Sequence, residues 1–372
     1  MPKSLDKVKV GVVGCGKISD AYFRGTGFFD NVEMVACADL VPQVAQAKAE
    51  QHGVEALTVE ELLNRPEIEI LLNLTIPQAH SEVALAALAA GKHVHCEKPL
   101  AVNLADGKRV VEAARRCNLL VGCAPDTFMG AGHQTTRKLI DDGWIGRPIA
   151  GTAFMMGHGP ESWHPNPGFY YQLGGGPMFD MGPYYLTALI NLLGPIKKVC
   201  GKTAKTFPER LATCKEHYGE ILPVEVTTHH AGVLEFQSGA LITLTMSFDI
   251  WRHAHSPIEI YGTEGSLQAP DPNSFGKAIR VFRAGAEQWS EMPYSHIYHD
   301  NSRGIGVADM AAAIRTGRPH RCHGDMACHV LEVMCAFDQS SQTGQAVEIE
   351  SPCRQPAPLP TGLLHGRIDA EA

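Results

Sequence analysis

The stretch Val8-Lys9-Val10-Gly11-Val12-Val13-Gly14-Cys15-Gly16-Lys17-Ile18-Ser19 decides how the rest of the chain reads. Val8–Val13 is almost wholly apolar, as a strand buried on both faces of a parallel sheet must be. Gly14 and Gly16 follow at once, and helical spacing runs from Lys17 to about Gly27. A strand that passes through Gly-x-Gly straight into a helix is the pattern of a dinucleotide-binding turn. The first glycine allows the tight turn, the second lets backbone approach a pyrophosphate, and the helix N-terminus meets its charge. Lys17 and Ile18 complete the turn, and Ser19 stands in the third glycine position, small enough for close helix packing. A second apolar run, Val32–Ala38, closes on Asp39, whose carboxylate suits both ribose hydroxyls and repels a 2′-phosphate. Leu40 and Val41 bring no compensating cation, so the motif favours NAD over NADP. An empty βα turn and an S-adenosylmethionine or flavin site are the weaker readings.

Outward from this turn, apolar runs at 68–74, 93–96 and 119–124 alternate with helical spacing at 41–52, 81–90 and 102–117. That alternation predicts a parallel α/β sheet over residues 1–125. Beyond Pro125 the period changes to two. At 240–249, Ala240, Ile242, Leu244, Met246 and Phe248 share one face, and Leu241, Thr243, Thr245, Ser247 and Asp249 share the other, as in a half-buried antiparallel strand. Strands are also expected at 148–157, 196–206, 224–236, 257–263 and 278–283, with helices at 134–142, 305–315 and 325–340. The fold class is therefore α/β, a dinucleotide-binding domain followed over 126–350 by an α+β domain with a largely antiparallel open sheet. Residues 351–372, rich in Pro and Gly, form a tail over the surface.

Length and composition agree. The 372 residues suffice for two domains, and 44% hydrophobic with 19% charged residues is ordinary globular composition. A net charge of −8 provides no basic field for a nucleic-acid partner. The apolar, uncharged run Met181–Ile196 contains Gly and Pro and is too short to span a membrane, and charged Met1–Lys9 lacks a secretory apolar core. Eleven irregularly spaced cysteines without a Cys-x-x-Cys pair read as reduced thiols, which points to the cytoplasm.

Two segments carry the chemistry. Thr75, Pro77 and His80 follow one apolar strand, and Cys96-Glu97-Lys98-Pro99 follows the next, both at the carboxyl ends where open sheets bind ligands. The Lys98–Pro99 bond is a candidate for cis. The run Gly174-Gly175-Gly176-Pro177-Met178-Phe179-Asp180-Met181-Gly182-Pro183-Tyr184 leads into helical spacing, and a helix starting near Asp180 sets Asp180 and Tyr184 on one face.

On Gly14/Gly16, Thr75–His80, Glu97-Lys98-Pro99 and the glycine run into Asp180-x-Gly182, the chain resembles the glucose–fructose oxidoreductase, inositol dehydrogenase and rhizopine-catabolism family over about residues 8–349. The resemblance implies an N-terminal Rossmann domain binding NAD through Gly14, Gly16, Lys17, Ile18, Asp39, Thr75, Pro77, His80, Glu97 and Lys98. It also implies a C-terminal sheet that mediates homodimers or homotetramers, and NAD(P)-dependent hydride transfer at a carbinol of a sugar or polyol. Lys98 matches the lysine that orients substrate and assists proton transfer, and Asp180 the acid that positions the reacting groups. The commonest family pattern has His four residues after that acid; Tyr184 stands there, as in the family's sugar-linked branches, which weakens an inositol-dehydrogenase reading more than an enzyme reading. A phenol beside a cation can take the hydroxyl proton as hydride leaves. Trp163 and His164, in the polar and aromatic segment 158–166, are expected on substrate, with Asp180 and with Asp126, which sits where the family usually has Asn-Arg. A non-catalytic NAD-binding sensor or scaffold, and a redox-neutral enzyme holding NAD tightly, are the alternatives. No metal is expected: His229 and His230 alternate across a strand, and His253/His255 and His320/Cys322/His323 lack a visible ligand set.

Overall fold

A computed structural model describes residues 7–369, and every count below is of those residues. The first six residues of the Met1–Lys9 segment and the last three of the tail lie outside them.

Six strands form the first sheet: β1 (Val8–Val13), β2 (Val32–Ala38), β3 (Glu55–Ala56), β4 (Ile70–Asn73), β5 (His93–Cys96) and β6 (Val121–Cys123). All pair parallel in the order β3-β2-β1-β4-β5-β6. Helices α1 (Ser19–Thr26), α2 (Pro42–His52), α3 (Val59–Asn64), α4 (His80–Ala89) and α5 (Leu104–Cys117) make the crossovers. Their ends are encoded locally. Thr58 and Glu61 form a capping box on α3, Asn103 caps α5, and Asn118 ends it in the left-handed conformation. The order reverses between β1 and β4, which opens a crevice at the carboxyl ends of these strands.

The second sheet has nine strands: β7 (Pro148–Met156), β8 (Ile196–Ala204), β11 (His229–Phe236), β12 (Leu241–Ser247), β13 (Ile258–Gly262), β14 (Gly265–Ala269), β15 (Ile279–Arg283), β16 (Ser290–Met292) and β17 (Val347–Glu348). A separate hairpin pairs β9 (Glu209–Leu211) with β10 (Ile221–Pro223). Every pair in the large sheet is antiparallel except β7 with β12. The alternation read at 240–249 is the pleat of β12: Ile242, Leu244 and Met246 are wholly buried, while Leu241 and Thr243 face outward. The buried face packs on α6 (Ala131–Asp141), α7 (Gly176–Leu193) and α9 (Gly324–Thr343). Strand β11 begins at 229 rather than 224. Helix α7 begins at Gly176, four residues before Asp180, because Pro177 sits in its first turn, where a missing N–H costs nothing.

The chain does not leave the first sheet at residue 125. Helix α8 (Ile305–Thr316) returns to pack on α1, β2 and β6, and α9 lies between α5 on one side and α7 and β8 on the other. Periodicity shows that these helices have an apolar face but not which sheet receives it. The tail crosses the first layer, with Arg367 paired to Asp30 at 3.0 Å and Asp369 to Arg318 at 2.9 Å. No described helix is long and apolar enough to cross a membrane.

Candidate active site

The dinucleotide turn is built from the backbone outward. Gly14 has φ +98°, and a Cβ there would lie 2.6 Å from the Leu74 carbonyl, so no other residue fits without moving β4. Around Gly16, by contrast, a Cβ would meet nothing within 4 Å. That open space at the N-terminus of α1 is where the backbone can approach a pyrophosphate. Ser19 is buried, and its hydroxyl donates to the Gly16 carbonyl at 2.7 Å, which pins the turn to the helix. Asp39 accepts from the Cys15 N–H at 2.9 Å and from the Val41 N–H at 3.0 Å, so the carboxylate at the end of β2 is locked facing the turn. Lys17 is exposed and Ile18 half-buried at the mouth. These residues fit a dinucleotide.

After β4 and β5 the structure separates ligand-facing from supporting groups. Thr75 and Pro77 line the loop after β4, and the Thr75 hydroxyl donates to Asn73 Oδ1 at 2.7 Å. His80 is buried rather than exposed to a cofactor. Its ring nitrogens lie 2.6 Å from the Pro99 carbonyl and 3.0 Å from the Thr75 carbonyl, so it ties the two loops together. Glu97 is likewise buried, with both carboxylate oxygens occupied: Oε1 accepts from the Tyr22 hydroxyl at 2.8 Å and Oε2 from the Lys98 N–H at 2.9 Å. Burial works against its charge, but Arg303 and Lys98 outweigh it and hold Glu97 below the usual carboxylate range. Both side chains are taken up by protein partners that brace the site from behind.

Lys98 turns the other way, into the cleft, from a cis Lys98–Pro99 peptide. Its Nζ donates to Asp180 Oδ1 at 2.8 Å and to the Asp180 carbonyl at 2.7 Å, and lies 5.3 Å from the centre of the Tyr184 ring. Burial disfavours its charge, but Asp180, Tyr184 and Glu97 more than compensate, so Lys98 stays protonated. Asp180 and Tyr184 are one turn apart on α7, as their spacing predicts. The glycine run lets α7 start there: a Cβ at Gly175 would lie 2.5 Å from the Tyr170 carbonyl, and Gly176 has φ +78°. Gln78, after β4, donates to the Leu173 carbonyl at 3.0 Å, binding the loop before the glycine run to the first domain.

The remaining expectations divide. His164 is half-buried within the electrostatic reach of Lys17 and Asp180, and burial holds its ring below the usual histidine value. Trp163 is 64% exposed at the rim, with its ring 5.5 Å from His164. Asp126 is wholly buried, and its Oδ2 accepts from the N–H groups of Gly304 at 2.7 Å and Gly306 at 3.2 Å, capping α8. Three residues not singled out by motif reading also face this centre: Tyr22, Tyr170 and Arg303. The Arg303 guanidinium lies 3.4 Å from Glu97 and 3.5 Å from the Tyr184 hydroxyl. No motif marks them, because they arrive from α1, a loop and the start of α8. Among the described residues no three His, Cys, Asp or Glu side chains cluster as metal ligands do.

A dinucleotide turn facing a lysine–aspartate–tyrosine cluster across two domains defines a hydride-transferring oxidoreductase. Residues 8–124 match the oxidoreductase family with an NAD-binding Rossmann fold, and residues 133–268 match the GFO/IDH/MocA C-terminal domain. The chain belongs to this Gfo/Idh/MocA oxidoreductase family. It is 27% identical to the 1,5-anhydro-D-fructose reductase of Ensifer adhaerens over 92% of this chain and 98% of that one. It is 30% identical to the dTDP-3,4-didehydro-2,6-dideoxy-alpha-D-glucose 3-reductase of Saccharopolyspora spinosa over 83% and 92%. The solved structure of a levoglucosan dehydrogenase with NADH and L-sorbose superposes with a TM-score of 0.80 at 22% identity, covering 94% of this chain and all of that one.

Proposed function

We propose that the chain is an NAD-preferring dehydrogenase or reductase acting at a carbinol or carbonyl of a sugar, sugar derivative or polyol. The observation that carries this reading is the contact of Lys98 Nζ with Asp180 at 2.8 Å beside the Tyr184 ring, formed across the two domains next to the dinucleotide turn. The nicotinamide supplies or takes the hydride. Tyr184 exchanges the proton of the reacting hydroxyl, Lys98 carries the positive charge that favours the developing alkoxide, and Asp180 fixes Lys98 in place. Trp163 and His164 line the rim that meets the sugar. Sugar- and polyol-handling relatives support the substrate class, and retention of the cluster favours an enzyme over a sensor.

The test starts with a screen of aldoses, sugar acids, anhydrosugars and cyclitols with NAD and NADH. Tyr184→Phe then removes the transferable proton at nearly constant volume. Turnover should fall roughly 10²- to 10⁴-fold with NADH affinity unchanged. A chemical step within about twofold of the native rate would refute Tyr184 as the acid–base.

The sheet supports a homo-oligomer. Val233 on β11 and Leu241 on β12 are both exposed on its outer face. Sedimentation at assay concentration should show a dimer or tetramer, and a monomer alone rejects this. The eleven free thiols, most of them buried, support a reducing, cytoplasmic setting.

A further inference from the structure

Lys98 is not the only cation at Tyr184. Arg303 is placed as a donor to the Tyr184 hydroxyl, with its Nη1 3.5 Å from that oxygen, whereas Lys98 sits over the ring, 5.3 Å from its centre. We propose that Arg303 is the positioning residue for Tyr184, holding the hydroxyl in place and carrying the countercharge when it gives up its proton.

The backbone is shaped to deliver this side chain. Arg303 immediately precedes α8, and its N–H donates to Asn301 Oδ1 at 3.3 Å. Gly304 follows with φ +104°, and its N–H is captured by Asp126. On the opposite side α1 passes so close that a Cβ at Gly25 would lie 1.6 Å from the Arg303 carbonyl oxygen. Wedged between Gly25 and Asp126, the backbone has little freedom, and the guanidinium projects between Glu97 and Tyr184. Both of its contacts there are long for hydrogen bonds, so its effect on the phenol is chiefly that of a charge held at short range in a buried place. Burial works against the charge of Arg303, but Tyr184, Glu97, Tyr22 and Asp126 keep it protonated.

The groups facing this pair come from every element around it: Tyr22 on α1, Glu97 and Lys98 after β5, Asp126 after β6, Tyr170 before the glycine run, and Asp180 on α7. Glu97 is paired with Arg303 at 3.4 Å and Asp180 with Lys98 at 2.8 Å. Of these groups the guanidinium is the cation within reach of the phenol oxygen as a donor. The inference rests on the role proposed for Tyr184, but it predicts a property measurable without turnover.

The experiment follows ionisation of Tyr184 by ultraviolet difference absorbance near the phenolate band, with Tyr184→Phe as the blank for each chain. NADH titration first establishes that each variant is folded. In Arg303→Gln, which keeps a donor for Glu97 but loses the charge, the midpoint for Tyr184 should move up by roughly one unit or more. Arg303→Met should do the same, which gives a second neutral variant should one not fold. Arg303→Lys retains a charge and should stay nearer the native midpoint than either. A midpoint unchanged within about 0.3 unit in a folded neutral variant, or one moved as far by lysine as by glutamine, overturns the proposal. If Tyr184→Phe turns out fully active while the midpoint still follows Arg303, the acid–base role fails and the Arg303–Tyr184 coupling stands.

Discussion

Asp39→Asn tests the proposed preference for NAD by removing a single charge. The carboxylate is held by the Cys15 N–H at 2.9 Å and the Val41 N–H at 3.0 Å, so it cannot swing away from an incoming phosphate without breaking two backbone hydrogen bonds. Leu40 beside it is 94% exposed and uncharged, and Lys48 on α2 is already paired with Asp20 at 2.6 Å. A unit like charge at about 4 Å costs about 1 kcal/mol in bulk water and about 4 kcal/mol near a protein surface. A phosphate carries roughly −1.5 to −2, and Asp39 is half-buried, so the penalty on NADPH is about 2–3 kcal/mol, or roughly 30- to 150-fold in affinity. Asparagine removes this penalty while keeping one acceptor. It also replaces charge-assisted bonds to the ribose by neutral ones, which costs NADH about 1 kcal/mol, roughly fivefold. Fluorescence titration of both cofactors at one fixed ionic strength reads the two effects together. The NADH-to-NADPH affinity ratio should fall at least about hundredfold. A ratio that changes by less than about threefold would show that the preference, if any, resides elsewhere than in Asp39.

Two further outcomes test the surroundings of the site. Arg210, on the β9 hairpin, is paired in a buried position with Asp249 at 3.0 Å and Glu161 at 3.2 Å; Arg210→Met leaves both carboxylates uncompensated and should cost roughly 3–5 kcal/mol, read as a lower denaturant midpoint, while an unchanged midpoint refutes the pairing as structural. Acid should weaken the fold through His323, whose Nδ1 accepts the Met326 N–H at 3.1 Å to cap α9 and so must be unprotonated. Burial, aided by His320 and Arg354, lowers its value from 6.5 to about 4, so the unfolded chain binds the extra proton first. The stabilisation is therefore complete above about pH 6.5 and disappears as pH falls through about 4, amounting to about 3 kcal/mol over the whole window. Melting temperature measured from pH 7.5 to 4.5 should decline in this window and decline less in His323→Asn, which keeps a capping acceptor; equal slopes in both would refute it.

The parallel sheet was legible because each of its signals is local. Val8–Val13 is apolar because β1 is covered on both faces, and Gly14 is required within the same few residues by the approach of Leu74. The alternation in β12 was legible for the same reason. The short β9–β10 hairpin and β14 were not, since at three to five residues they are too short to display a clear alternation. Where α8 and α9 pack was also invisible. An amphipathic pattern states that a face is buried, whereas contacts with α1 and β2 depend on the path of the chain through the second sheet.

The same division runs through the site. Residue type and strand-end position single out His80, Glu97 and Asp126 as unusual, because a polar side chain at the carboxyl end of a parallel strand is either ligand-facing or satisfied by protein. Choosing between these requires knowing the partners, and for Asp126 and Glu97 these include remote ones. Asp126 meets N–H groups 178 and 180 residues later, and Glu97 meets Tyr22 75 residues earlier. Lys98, Asp180 and Tyr184 differ in that local sequence marks each of them: the lysine sits at a strand end and one helical turn aligns the acid with the phenol, while the Lys98–Asp180 contact itself spans 82 residues. The cation at the phenol oxygen comes from a chain segment that returns after eight of the nine strands of the second sheet have been laid down. Arg303 is that segment's contribution, and its dependence on Gly25 and Asp126 means that two residues without any reactive role constrain the charge at the reacting oxygen.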